Sequence, residues 1–441
     1  MAMERGTAAD IAPNPSAGQP LRSIFADLHV HIGRTSRDEP VKISASRSLT
    51  FRSIAHEASE RKGVGLVGVI DCHSPAVQRD IQDCLDSGEM EEAEGGGIRY
   101  RDTVILLGCE LEVMEPGGGP YHLLAYLPTF EAMQGWTAWM APRMKNVNLS
   151  SQRLRTTARE VQTELLARGG KLVPAHIFTP HRGLLGCSAD RLSDRLELEG
   201  IAAVELGLSA DTAMASRLSQ LDRYPFLTNS DAHSTGMIGR ECNELVMAEP
   251  TFEEWVLALE GRDGRGIAAN IGLHPKLGKY HTTYCASCKQ AVGEEADTEA
   301  VCPRCGSQRL VRGVAGRIEQ LADRGAGEGD VSVVSPSAQL PPSANPPHSP
   351  QQSHPPKHPP KRPPYRQQVP LKFFPGVGPK LLDRLLAGLG TEMDILHRLP
   401  IEAIAAVAGE KLAKQILAAR EGKLELESGS GGTYGRIRGD Q

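Results

Sequence analysis

Histidines and carboxylates that could bind metal recur along the first half of the sequence, each at the end of a short apolar run. The runs read IFADLHVH, VGLVGVIDCH, TVILLGCELE, YHLLAYL, KLVPAH and YPFLTNSDAH. Imidazole and carboxylate ligands together suit zinc, manganese or iron, and many histidines favour zinc or manganese over magnesium. The candidate ligands are His29, His31, Asp71, His73, Glu110, His122, His176, Asp231 and His233.

Each of these runs has the length and composition of a buried strand. In a barrel of repeated β/α units, the carboxyl ends of the strands converge on one mouth. A single histidine of this kind is ordinarily a satisfied core or surface residue. Buried strands have little reason to end repeatedly in His, Asp or Glu, however, unless those groups share a partner. We therefore predict an α/β fold in which six strand ends direct their ligands at one cluster of divalent metals.

The motifs are also similar to those of a known family. ADLHVH, IDCHS, GCELE, YHLLAYL, PAH and NSDAH resemble, in this order, the motifs of the polymerase and histidinol phosphatase (PHP) family of metal-dependent phosphoesterases. The resemblance covers about residues 21–275. It implies a distorted β/α, TIM-like barrel that holds two or three divalent metals, Zn²⁺, Mn²⁺ or Mg²⁺. It makes Glu110 the bridging carboxylate and Asp71 a ligand or a partner of one. The implied catalytic residues are Glu110, His176 and Asp231.

One position departs from the PHP pattern. Many members carry a further His or Asp a few residues after the HxH pair, where this sequence reads IGRTSRDEP. Asp38 could fill this role, whereas Arg34 and Arg37 could not. The resemblance therefore leaves a third metal site open.

Length and composition indicate an intracellular enzyme with more than one module. A chain of 441 residues with 40% hydrophobic content can bury one large barrel and still build smaller modules. Residues 1–20 lack the apolar core of a signal peptide, and no run approaches the length of a membrane span. We expect a cytoplasmic protein with a disordered N-terminus at 1–20. Nine cysteines, five of them scattered singly, favour a reducing compartment.

Four cysteines form a separate motif, two CxxC pairs separated by thirteen residues. This spacing is typical of a four-thiolate zinc ribbon, which we place at 276–315. A redox CxxC pair is the alternative, but one pair would suffice and neither begins a helix after a strand. Nearby Lys and Arg side chains suit contact with phosphates, although a purely structural role is open. The structural zinc ligands are Cys285, Cys288, Cys302 and Cys305.

A change of composition predicts a linker at 316–370. Residues 331–370 contain thirteen prolines, four Lys or Arg and no Asp or Glu, so they cannot form a packed core. Binding of a partner to this polyproline segment is the alternative. We expect the linker to act as a tether for whatever follows it.

Residues 371–420 have helical periodicity interrupted by PGVGPK, which resembles the hairpin of helix-hairpin-helix modules. Gly376 and Gly378 let the backbone approach a DNA phosphate, and Lys380 adds a positive charge. An ordinary helical pair with a glycine turn is the alternative. The last residues, 421–441, are predicted to be disordered.

The order of barrel, zinc ribbon and C-terminal all-α helix-hairpin-helix module resembles the endonuclease Q family over about 21–420, with the Pro-rich insert as the main departure. The resemblance implies a nucleoid-associated DNA-repair enzyme. It would cleave damaged DNA on the 5′ side of uracil, hypoxanthine or xanthine, and at abasic sites. A DNA-repair or sliding-clamp partner and the oligomeric state are open.

The barrel and its loops suggest how such an enzyme would work. Clustered divalent ions lower the pKa of a bridging water and stabilise the departing 3′ oxygen of a phosphodiester. In the loop IFTPHRGLLG, Phe178 could stack on a base while His181 and Arg182 meet phosphate, or His181 could lie beside the metals. Two other functions are weighed: a phosphatase of small monoesters and a non-catalytic DNA-binding scaffold. The ribbon and PGVGPK favour the nuclease.

Overall fold

The computed structural model describes residues 19–292, 301–325, 360–423, 426–427, 431–434 and 436–437. The strands are β1 Arg22–Val30, β2 Leu66–Val69, β3 Glu91–Glu92, β4 Ile98–Tyr100, β5 Thr103–Val113, β6 Tyr121–Leu127, β7 Lys171–Pro174, β8 Val204–Glu205, β9 Phe226–Leu227, β10 Cys242–Met247, β11 Gly266–Gly272, β12 Tyr284–Cys285, β13 Gln290–Ala291, β14 Leu310–Val311, β15 Tyr365–Gln367, β16 Leu426–Glu427 and β17 Arg436–Ile437. The α-helices are α1 Phe51–His56, α2 Pro75–Asp86, α3 Phe130–Met140, α4 Ala158–Ala167, α5 Thr212–Ala215, α6 Phe252–Glu260, α7 Val314–Leu321, α8 Pro379–Leu389, α9 Ile401–Ala408 and α10 Glu410–Arg420.

The central sheet runs in the order β15, β11, β10, β1, β2, β5, β4, β3, and β6 and β7 continue it from β5. Strands β1, β2 and β5 are parallel, whereas β10 and β6 are antiparallel to their neighbours β1 and β5. Isolated bridges, Leu172 with Ile201 and Val30 with Ala232, connect this sheet to the short pair β8 and β9. The sheet therefore curves into a distorted barrel, which confirms the predicted α/β fold.

Strand β5 explains how the barrel is packed, because all eleven of its residues are buried. Ile105 and Leu107 belong to the outer core, which includes apolar side chains of α2 and α3. Val104 and Leu106 belong to the second core, with side chains of β1, β6 and α6. Alternation along the strand puts Glu110 on the same side as Val104 and Leu106. The sequence thus directs this carboxylate into the barrel.

Around the cysteines, β12, β13 and β14 form a small antiparallel sheet, while residues 293–300 lie outside the described residues. Helix α7 follows and contacts the barrel: the Arg317 side chain donates hydrogen bonds to the carbonyl oxygens of Leu185 and Ala189. The prediction that a linker begins at 316 is therefore wrong, because α7 is an ordered part of the barrel surface.

The C-terminal end of the predicted linker is also part of the fold. Strand β15 pairs in parallel with β11 at the edge of the central sheet. Helices α8, α9 and α10 then bury apolar side chains in a third core that includes Phe25, Ala269 and Ile271 of the barrel. The expectation of a tethered tail is wrong, since these helices cover an apolar face of the barrel. The Pro-rich residues 326–359 lie outside the described residues.

Both chain ends were predicted to be disordered. Residues 1–18 lie outside the described residues. Within 421–441, β16 and β17 pair in antiparallel fashion, and the Tyr434 hydroxyl accepts a 2.7 Å hydrogen bond from Arg240. The prediction of disorder is wrong for this part of the tail, because it has partners on the barrel. Within the described ranges, no helix combines the length and apolar character needed to cross a membrane.

Candidate active site

A bulge in β1 directs the HxH pair into the barrel. Ala26 and Leu28 lie in the second core, but Val30, two residues later, lies in the outer core. The pairing of β1 with β2 shifts register between Asp27 and Val30. Such a bulge re-aims the side chains that follow it. His29 and His31 consequently face the same interior space as Glu110.

Each histidine of the pair is oriented by a buried carboxylate behind it. Nδ1 of His29 lies 3.0 Å from Oε1 of Glu205, and Nδ1 of His31 lies 3.1 Å from Oδ2 of Asp71. This leaves Nε2 of both rings directed at the cluster. Carboxylates in this position fix the ring and raise its basicity toward a metal. Of the two roles left open for Asp71, the geometry favours partner of a ligand.

The first donor group is formed by His29, His31 and Glu110, and Asp231 adjoins it. Nε2 of His29 lies 3.5 Å from both Glu110 Oε1 and Asp231 Oδ1. Nε2 of His31 lies 3.6 Å from Glu110 Oε2 and 3.5 Å from Asp231 Oδ1. Two ligands of one tetrahedral zinc stand about 3.4 Å apart. These four side chains therefore have the spacing of a metal site.

The second donor group shares Glu110 with the first. Nδ1 of His122 lies 2.8 Å and Nε2 of His176 lies 3.5 Å from Glu110 Oε1. His122 is the second residue of β6, not its last, so the expectation of carboxyl strand ends is wrong here. Because β6 is antiparallel to β5, the start of β6 lies beside the end of β5. Glu110 is thus placed between two groups of ligands, as a bridging carboxylate would be.

The remaining two candidates lie at the margin. His233 forms a third donor group with His31 and Asp231, its Nδ1 3.6 Å from Asp231 Oδ1. His73 is fully buried but joins no donor group among the described residues. Its Nδ1 is nevertheless buried without a hydrogen bond in the described residues, so ligation by His73 stays a prediction.

Two of the candidate ligands have strained backbones. His176 and Asp231 adopt φ angles of +28° and +46°, which non-glycine residues seldom adopt. Strained backbone conformations persist only where surrounding contacts hold them in place, and they are concentrated at functional sites. Arg240 supplies such contacts, since Nε donates to the carbonyl oxygen of Ser230 at 2.8 Å and Nη2 reaches that of Asp231 at 3.5 Å.

In the cluster, Glu110 is ionised as a metal ligand must be, whereas His29 carries a proton that a bound metal would displace. Burial raises the pKa of Glu110, but the charges of His122 and Lys42 outweigh burial and hold it well below 4.5. Burial lowers the pKa of His29, but Glu205 and Glu110 reverse this and raise it well above 6.5. Nε2 of His29 and Nδ1 of His122 are buried and make no hydrogen bond in the described residues. Since buried polar atoms are normally satisfied, these nitrogens fit divalent ions as their partners.

Two functional residues escaped the sequence interpretation. Glu205 ends the apolar run IAAVE, the same signal that identified the other candidates. Lys42 carries no such signal, yet its Nζ lies 3.3 Å from Glu110 Oε2. Burial lowers the pKa of Lys42, but Glu110 and Asp71 outweigh burial and raise it, so Lys42 stays charged. Asp38, which the sequence left open as a ligand of a third metal, has a side chain that is 63% exposed and pairs with Arg47.

The four cysteines have the geometry of one zinc site. Sγ of Cys285 lies 3.7 Å from Sγ of Cys305, and Sγ of Cys288 lies 3.8 Å from Sγ of Cys302. Sulfur atoms around one tetrahedral zinc stand about 3.8 Å apart. All four thiols form a single donor group, which leaves no ligand position for substrate.

The residues predicted to contact DNA differ in burial and in their partners. The ring of Phe178 is fully buried in the outer core, so its predicted stacking on a base is wrong. His181 lines an open cavity of about 200 Å³ together with Tyr280 and Arg312 of the ribbon region. Arg182 pairs with Glu112 at 3.0 Å. Both side chains therefore reach the surface, where a phosphate could meet them.

The hairpin glycines are exposed on the C-terminal module. Gly376 has φ +89°, and a Cβ on Gly376 or Gly378 would meet nothing within 4 Å. Gly378 caps α8, whose first turn holds Pro379 and the exposed Lys380. The backbone of this turn is therefore open to close approach, as contact with a phosphate requires.

Comparison with curated proteins gives two relatives without an assigned activity. No model of a protein family matches the sequence. It is 46% identical over 421 residues to the uncharacterized protein YqxK of Bacillus subtilis (strain 168), covering 95% of this chain and 100% of that protein. It is 32% identical over 247 residues to the uncharacterized protein MJ0043 of Methanocaldococcus jannaschii, covering 53% of this chain and 28% of that protein.

Two solved structures are similar to this chain over 95% of its length. The lesion-specific endonuclease PfuEndoQ from Pyrococcus furiosus is 30% identical, with a TM-score of 0.76 and coverage of 95% of each chain. Endonuclease Q in complex with a 27-mer duplex substrate carrying an abasic lesion at its active site is 30% identical. Its TM-score is 0.77, with coverage of 95% of this chain and 97% of that one. A match of this extent spans barrel, ribbon and C-terminal helices together, and the chain belongs to the endonuclease Q family.

Proposed function

We propose that this protein is a metal-dependent endodeoxyribonuclease of DNA repair, which cleaves the backbone 5′ of uracil, hypoxanthine or xanthine and at abasic sites. The observation that carries the proposal is the pair of donor groups sharing Glu110, inside a chain similar to an endonuclease solved with an abasic duplex at its active site. The alternatives, a monoester phosphatase and a scaffold, are supported by no separate feature of the described residues.

The residues of the cluster would divide the chemistry among them. His29, His31, Glu110 and Asp231 would hold one ion, and Glu110, His122 and His176 would hold a second; Zn²⁺, Mn²⁺ and Mg²⁺ are the candidates. Bound ions would supply Lewis acidity toward a phosphate oxygen and toward the attacking water. Glu110 and Asp231, both kept ionised, would offset the positive charge of bound ions. Hydrolysis joins a water oxygen to phosphorus and releases the 3′ oxygen.

Recognition of DNA would use surfaces that lie around this cluster. Arg182 and His181 stand at the barrel mouth near the ribbon, where they can meet backbone phosphates. Gly376, Gly378 and Lys380 present a second phosphate site on α8. Because the C-terminal helices pack on the barrel, we propose that this second site stands at a fixed distance from the chemistry. It would set the position of the duplex and not only its local concentration.

A damaged base inside a duplex has to leave the stack before protein groups can inspect it. Mispaired or missing bases cost less to extrude, which is one source of selectivity for lesions. The open cavity between His181, Tyr280 and Arg312 borders the ribbon, and Tyr280 lies within electrostatic reach of Asp231. We propose that the ribbon, held by its zinc, contributes one wall of the lesion site.

The test is incubation of purified protein with Mg²⁺ or Mn²⁺ and end-labelled duplexes that carry uracil, hypoxanthine, xanthine, an abasic site or no lesion. We expect a single nick immediately 5′ of each lesion and none in the intact duplex. A Glu110→Gln variant is the control for contaminating nucleases. Release of phosphate from small monoesters without any nicking would favour the phosphatase instead.

A further inference from the structure

Lys42 lies at the edge of the metal cluster and is held there firmly. Its backbone amide donates to the carbonyl oxygen of Ile32 at 2.9 Å, which fixes the loop beside the HxH pair. Its Nζ lies 3.3 Å from Glu110 Oε2 and 2.5 Å from Ser151 Oγ. Ser151 Oγ in turn donates a hydrogen bond to Glu110. The ammonium group therefore contacts the same carboxylate oxygen that faces Nε2 of His31.

A third ion in the barrel would lack ligands of its own. His31 and Asp231, the partners of His233 in the third donor group, already face the first group at 3.5–3.6 Å. An additional ion near His233 would need a further donor from the loop after β1. Asp38, the carboxylate available there, is turned away toward Arg34 and Arg47. The loop instead places the ammonium group of Lys42 beside the cluster.

We propose that the ammonium group of Lys42 takes the place of a third divalent ion, so that the barrel works with two ions and one fixed positive charge. Lys42 lies within electrostatic reach of Asp71, Asp231 and His233 as well as Glu110. A divalent ion close to this ammonium would be repelled by it. The negative charge that a third ion would otherwise neutralise is thus already matched.

The same group is placed to contact substrate. An ammonium has three donors; within the described residues, two of them meet Glu110 and Ser151. Lys42 also lines an open cavity of about 320 Å³, whose other polar walls include Ser44, Ser150 and Gln152. The third donor is therefore available to an oxygen of the scissile phosphate. The contact between Lys42 and substrate rests on the proposed function, whereas the predicted number of bound ions does not.

The first measurement is the number of ions bound to the whole protein, by elemental analysis after reconstitution with Mn²⁺ and desalting. Zinc of the ribbon is counted separately. We expect two manganese ions per chain in the wild type and the same two in Lys42→Met, whose side chain has similar length but no charge. A third manganese in the wild type, or loss of one in Lys42→Met, would overturn the proposal.

The second measurement is turnover on two substrates, the abasic duplex and bis(4-nitrophenyl) phosphate, which carries no lesion. Lys42→Met should lower turnover on both by about 100-fold, as removal of a fixed transition-state charge does, and Lys42→Arg should recover part of it. Undiminished turnover in Lys42→Met refutes the role of Lys42. If the wild type hydrolyses bis(4-nitrophenyl) phosphate but does not cleave DNA, the proposed function is refuted. The ion count and the diester assay then still test the role of Lys42.

Discussion

Lys62, which follows α1, forms a buried ion pair with Glu392 of the C-terminal module, with Nζ 2.5 Å from Oε2. The other carboxylate oxygen of Glu392 accepts a hydrogen bond from the backbone amide of Leu371. The pair joins residues 330 positions apart and both side chains are about 5% exposed. The C-terminal helices are consequently a structural part of the barrel enzyme.

The first prediction concerns this pair. Glu392→Gln leaves the charge of Lys62 buried without its partner, so the free energy of unfolding should fall by about 3–5 kcal/mol. Urea denaturation measures the change. The matched control is Asp383→Asn, which removes an exposed pair with Arg61 and should cost under about 1 kcal/mol. Equal effects of the two substitutions would mean that the C-terminal module is loosely attached.

Asp71 should act through His31 and not as a ligand. Asp71→Asn removes the carboxylate that orients the ring, and we expect the affinity for Mn²⁺ and the turnover to fall about 10- to 100-fold with the fold retained. Titration with Mn²⁺ measures the affinity, and circular dichroism of the same variant shows whether the fold is retained. Asp38→Asn is the control, because Asp38 is exposed and away from the cluster. A loss in Asp38→Asn as large as that in Asp71→Asn would restore Asp38 as a candidate ligand.

Tyr434 is expected to support the site from the C-terminal tail. Its hydroxyl accepts from Arg240, the side chain that also bonds the carbonyl oxygen of Ser230 beside Asp231. Tyr434→Phe keeps the ring and removes this bond, and turnover should fall roughly 2- to 10-fold. Tyr100→Phe, whose hydroxyl bonds Glu60, is the control and should leave turnover unchanged. Equal turnover in Tyr434→Phe and Tyr100→Phe would show that the tail does not contribute to catalysis.

His397 should make the stability of the enzyme sensitive to acid. Burial, reinforced by Arg366 and other arginines, lowers its pKa from 6.5 to about 3. Its Nε2 lies 2.8 Å from Gln368 Oε1, to which the neutral ring can donate. The unfolded chain takes up a proton below pH 6.5 while the folded chain does not. The stabilising contribution is therefore complete above pH 6.5 and is lost as the pH falls toward 3.

The measurement is the free energy of unfolding between pH 7 and pH 4.5 for the wild type and His397→Gln. The wild type should lose up to about 1.4 kcal/mol per pH unit more than the variant. Replacement of the exposed His56 by Gln should not alter the slope. Parallel curves for wild type and His397→Gln would show that this residue titrates normally.

Much of the site was predictable because its donors follow a local rule. Buried apolar runs ended in His, Asp or Glu, and a polar group in such a place needs a partner. The same rule would have found Glu205, at the end of IAAVE. It could not find Lys42, which lies in a loop and reaches the cluster only through the fold. It also could not foresee the bulge in β1, since register depends on the neighbouring strand.

The errors of interpretation share a different cause. Helical periodicity correctly indicated α8 and α10, but periodicity does not say what an apolar face packs against. A Pro-rich segment beside these helices suggested a tether, whereas their apolar side chains cover Phe25 and Ile271. Phe178 was placed on the surface because its loop also holds His181 and Arg182. Burial of one residue in a polar loop is a tertiary property that composition does not reveal.

The central claim is that Glu110 joins two metal groups in a nuclease specific for DNA lesions. The most direct measurement is cleavage of the five end-labelled duplexes by wild type and Glu110→Gln, with duplex binding measured in parallel. The wild type should nick 5′ of each lesion, and the variant should bind the lesion duplexes but cleave them at least about 100-fold more slowly. Undiminished cleavage by Glu110→Gln, or equal cleavage of the lesion-free duplex by the wild type, would contradict the claim.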